Sequence, residues 1–121
     1  MGKGIVGNFG PSPSALHVHD ELDARSLVLY DGTTQLVFVV VDNVVIKWEI
    51  FDEAKRLIHE KTGLKKENIL ISATHTHSWI GAGGGPEGDE LGWNTWNGGK
   101  PLEGYQLKLV KRIVEGGSNC P

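Results

Sequence analysis

At 121 residues the chain suffices for one domain with one core, burying roughly two-thirds of the surface its unfolded form exposes. A net charge of -3 with both signs mixed leaves no basic stripe for a phosphate backbone, which sets nucleic acid aside as a partner. A single cysteine, Cys120, excludes an intrachain disulfide and a cysteine-based zinc cluster, so any metal must rely on His, Asp, Glu or Tyr.

Residues 1–15, with "GPSPS" at 10–14, read as a flexible entry segment. They contain no apolar run of signal-peptide length, and "LVFVVV" at 36–41 is too short to span a bilayer, which places the chain in the cytoplasm with no transmembrane segment. "RSLVLYDGTTQLVFVVVD" predicts two strands, Arg25 to Tyr30 and Gln35 to Val41, joined through the turn-forming Asp31-Gly32 as an antiparallel hairpin. The second strand is apolar after Gln35, which predicts a central strand covered on both faces.

From Ile46 the period becomes helical, with Ile46, Ile50, Ala54, Leu57 and Ile58 recurring and Gly63 as the stop. "NILISA" at 68–73 is another short strand, and the strand-helix-strand unit over 35–73 predicts a right-handed crossover with parallel strands. After a Gly-rich loop over 81–101, a second helix is predicted from Leu102 to Glu115, ending at Gly116-Gly117. No internal repeat is present. The fold class is therefore α/β, a small mixed sheet with a hairpin and a crossover. Three strands and two helices cover one face only, so the pattern predicts part of a larger two-layer or three-layer α/β domain, incomplete over these residues.

The chemistry concentrates in "ILISATHTHSWIGAGGG", 69–85. Ligands of open α/β sheets bind beyond the carboxyl ends of parallel strands, where Thr74 to Ser78 fall. His75 and His77, two apart, share a face if strand geometry persists, and can either share a metal or divide ligand and acid/base roles. Thr74, Thr76 and Ser78 are candidates to orient the rings or a bound water, and Asp42, ending the neighbouring strand, is a candidate partner for a ligating histidine or a cap for the following helix. A second His-x-His, His17 and His19, lies in the entry segment, and His19 is a further candidate.

"GAGGGPEG" lacks the Gly-Lys-Ser/Thr ending of a P-loop and the spacing of a dinucleotide fingerprint, and reads as a plain loop or lid. Trp79, Trp93 and Trp96 either line an apolar or sugar-binding surface or anchor that loop.

Taken together, "HDELDARSLVLYDG", "VFVVVD" and "GLKKENILISATHTHS" resemble, in order and spacing, the opening part of the neutral/alkaline non-lysosomal ceramidase family and its bacterial relatives. The resemblance covers residues 16–80, with Tyr105 to Val114 as a following helix. It implies an N-terminal domain of a zinc-dependent amidase that hydrolyses the N-acyl bond of ceramide or a related lipid amide. On the matching motif His75 corresponds to a Zn2+ ligand and His77 to a catalytic residue beside the substrate that helps stabilise the oxyanion. The family's other ligands, a His, a Glu and a Tyr, come from downstream sequence absent here, so a missing C-terminal part or partner chain is implied and these residues alone are expected to be inactive. Trp79-Ile80 departs from the Gly-Pro or Ala-Pro with which the family continues, placing bulk beside the site. Two other readings stand beside this one. The chain is a small non-catalytic α/β module holding a metal, sugar or partner chain through its histidines and tryptophans, or it is a truncated relative without function.

Overall fold

The computed structural model describes residues 5–6, 22–76, 79–80, 101–102 and 104–119. Two short strands, β1 (Ile5–Val6) and β5 (Trp79–Ile80), pair antiparallel. The main sheet holds β2 (Ala24–Tyr30), β3 (Gln35–Val41) and β4 (Ile69–Ala73) in the order β2-β3-β4. Two helices, α1 (Trp48–Thr62) and α2 (Tyr105–Ser118), complete it.

The hairpin forms as its turn chemistry dictates. Gly32 takes φ +96°, and the Asp31 carboxylate accepts the Thr33 and Thr34 amides at 2.9 and 2.7 Å, which fixes the connection. β2 and β3 are antiparallel, with Leu27 opposite Phe38 and Tyr30 opposite Gln35. β4 lies parallel to β3 on its other side, Val37 beside Ile69 and Val41 beside Ala73. β3 is thus central, as its composition predicts.

Side-chain alternation sends Val37, Val39 and Val41 inward with Ile69 and Ile71, against Ile50, Ala54 and Ile58 of α1 and Leu109, Val110, Ile113 and Val114 of α2. The helices lie side by side on this one face. Gly63 ends α1 in the left-handed conformation, φ +73°, with its N–H donating to the His59 carbonyl at 2.8 Å.

Two expectations change. Among the described residues β3 is covered on one face only: Leu36 and Val40 are exposed, because both helices lie on the side of Val37, Val39 and Val41. The second helix starts at Tyr105, after Gly104 at φ +53°, and runs through Gly116 and Gly117 to Ser118. Those glycines are sites of close approach rather than a stop. A Cβ at Gly117 would sit 2.6 Å from Cδ1 of Ile58, and one at Gly116 would collide with the Ser26 hydroxyl. No helix among the described residues is long and apolar enough to cross a membrane.

Candidate functional site

The carboxyl ends of β3 and β4 lie side by side, so the segment after Val41 meets the segment after Ala73. Three bonds join them. The Thr74 amide donates to the Val41 carbonyl at 3.0 Å, the Thr74 hydroxyl donates to Oδ1 of Asp42 at 3.3 Å, and Nδ1 of His75 contacts the Val44 carbonyl at 2.9 Å. A carbonyl oxygen only accepts, so Nδ1 carries the proton, and Nε2 is the lone-pair nitrogen of the neutral ring.

His75 itself has φ +60°, the left-handed region that a β-carbon disfavours. Strand geometry therefore ends before the motif, at Ala73, and the same-face argument for His75 and His77 does not carry over. His77, Ser78 and His19 lie outside the described residues, as does His17. Thr76 is half-buried.

Asp42 lies at the same rim as the sequence predicts, and it does more there than accept from Thr74. Its Oδ2 accepts the Asp23 amide at 3.1 Å and stands 3.6 Å from Nη1 of Arg25, while its own N–H donates to the Asp23 carbonyl at 2.9 Å. One carboxylate thereby ties the start of β2 to the histidine turn. It does not cap α1, whose N-cap position is Lys47, with no side-chain cap.

Other rim residues carry no sequence motif. Asn43, next to Asp42, is fully buried, and neither its amide oxygen nor its nitrogen has a hydrogen-bond partner among the described residues. Lys47 and Gln106 are buried too, in the segment leading into α1 and the first turn of α2. Asn43, Lys47 and Gln106 thus belong to segments that open from this end of the sheet, whereas two further buried hydroxyls, of Ser26 and Ser118, lie in β2 and at the far end of α2. Tyr105 joins the first three: burial pushes its phenol pKa above the ordinary value, and the nearby Asp42 carboxylate adds to the rise. An Asp at a strand end was legible, but Asn43, Lys47 and Tyr105 look in the sequence like ordinary loop and helix residues.

An open groove on the helix side, lined by Glu53, Arg56, Lys66, Leu102 and Leu107 among others, is remote from this chemistry. Its guanidinium, Arg56, is already engaged by Glu53 and Glu60. Among the described residues no group of three or more His, Cys, Asp or Glu is placed to hold a metal ion. As a ligand, His75 fits: a backbone carbonyl orients its ring in the way ligating histidines are commonly oriented. It is one ligand where a catalytic zinc takes three or more from the protein. Comparison with protein-family models, curated proteins and solved structures finds no match to this chain.

Proposed function

We propose that these residues are the N-terminal portion of a zinc-dependent, ceramidase-like amidohydrolase that cleaves the N-acyl amide bond of ceramide or a related lipid amide. The observation that carries this reading is the His75 turn. The ring is held at a strand-end rim with Nδ1–H donating to the Val44 carbonyl, the tautomer in which the neutral ring carries its lone pair on Nε2. A chain segment that keeps a non-glycine residue at φ +60° and secures it with Val41, Asp42 and Val44 is holding a side chain in place.

In this reading His75 supplies one zinc ligand, and the remaining ligands come from polypeptide outside the described residues. Bound zinc supplies an activated water near neutral pH and polarises the amide carbonyl. His77 stands beside the substrate, and Asp42 and Thr74 position the turn that presents His75. Residues 1–121 alone are then inactive.

The test is to express the longest open frame containing this chain and assay a short-chain fluorescent ceramide together with metal content. The expected result is bound zinc, activity abolished by chelation, and a loss of at least roughly a hundredfold on His75→Ala, since even indirect partners of a ligand bring up to that. Full amide hydrolysis in chelator, untouched by His75→Ala, would sink the reading. Metal or sugar binding without hydrolysis would move the small binding module ahead.

A further inference from the structure

Thr74 is the first residue past the end of β4, beside Asp42 and directly before His75. Two bonds fix it. Its amide donates to the Val41 carbonyl at 3.0 Å, and its hydroxyl donates to Oδ1 of Asp42 at 3.3 Å. An ionised carboxylate only accepts and a hydroxyl has one proton, so that proton is committed to Asp42 and the Thr74 oxygen meets any further partner as an acceptor. Thr74 is exposed, and no donor among the described residues reaches that oxygen.

The carboxylate that orients the hydroxyl is itself held. Its Oδ2 accepts the Asp23 amide at 3.1 Å and stands 3.6 Å from Nη1 of Arg25, and the Asp42 side chain is only 19% exposed. A surface threonine ordinarily turns its hydroxyl among staggered rotamers and trades partners with water. Thr74 instead keeps one acceptor in one setting, at the carboxyl end of parallel strands, where ligands of such sheets bind.

We infer that Thr74 is a specificity-determining residue that accepts a hydrogen bond from the amide N–H of the substrate; the inference rests on the amidase reading. In that reading the substrate carbonyl belongs on the side of His75. A secondary amide presents its carbonyl oxygen and its N–H on opposite sides of one planar group, and consecutive Cα atoms are about 3.8 Å apart, which lets one amide engage both neighbours. An ester has nearly the same shape but sets an oxygen against the Thr74 oxygen, acceptor against acceptor. A site arranged around a hydrogen-bonded N–H rejects the isostere that lacks it.

The test uses the longest open frame containing this chain, assayed on a short-chain N-acyl amide and on its ester isostere. Thr74→Val keeps the shape of the side chain and removes the acceptor. It should lower kcat/KM for the amide roughly tenfold relative to that for the ester, while Thr74→Ser keeps the wild-type ratio. A residue that merely holds the His75 turn would lower both rates together, so an amide-to-ester ratio unchanged by Thr74→Val overturns the inference and leaves the amidase reading standing. Thr74→Ala reads the same ratio should Thr74→Val fail to fold, as far-UV circular dichroism would reveal. Absence of amide hydrolysis by the wild-type chain overturns the amidase reading instead, and the role of Thr74 falls with it.

Discussion

At His75 the chain adopts φ +60°, a conformation that costs an L residue about 1 to 2 kcal/mol and that glycine would take without strain. The His-x-His spacing was legible, and so was its place at a strand end. The turn was not, because φ at residue 75 follows from bonds made by residues 41 to 44, far away in sequence. The same holds for Tyr105, an unremarked helix residue until the fold sets it near Asp42. Its folded pKa is raised above the unfolded value of about 10, so its share of stability is intact below pH 10 and lost as pH climbs through the folded pKa. With Tyr30→Phe leaving a single phenol, phenolate absorbance should show a midpoint above 10. Burial is the larger cause and Asp42 the smaller, so Asp42→Asn should lower that midpoint only in part. A midpoint that Asp42→Asn leaves where it was would show that the carboxylate does not act on the phenol.

Elements follow the sequence wherever a local signal decides them. Asp31 makes the hairpin turn with its own side chain, and Gly63 stops α1 because it can turn left-handed. Gly116-Gly117 looks the same on the page and does the opposite, since what selects glycine there is the distance between α2 and its neighbours. No window of α2 alone contains that distance. Ile58 is fully buried, and a Cβ at Gly117 would lie 2.6 Å from its Cδ1 and 3.7 Å from Cγ1 of Val37. Replacing glycine inside a helix gains up to about 1 kcal/mol for alanine and less for a β-branched residue, whereas overpacking a core costs about 1 to 3 kcal/mol. Gly117→Val should therefore destabilise by roughly 2 kcal/mol in a urea titration. A stabilised variant would mean that α2 stands off from α1 and that the glycine pair marks a helix end after all.

For the whole molecule, the decisive question is how many sides the core has. Seen as a string, "LVFVVV" is uniformly apolar and asks for cover on both faces, but the number of helices in the described chain answers that request only once. Val39 and Val40 are neighbours with the same side chain and opposite fates, the first fully buried against the helices and the second 37% exposed. Val39→Ala removes contacts that nothing can replace and should cost about 2 kcal/mol, while Val40→Ala should cost about 0.5 kcal/mol, each measured by urea denaturation. Equal losses would mean that the outer valine is packed as closely as the inner one, and the one-sided core would have to be abandoned.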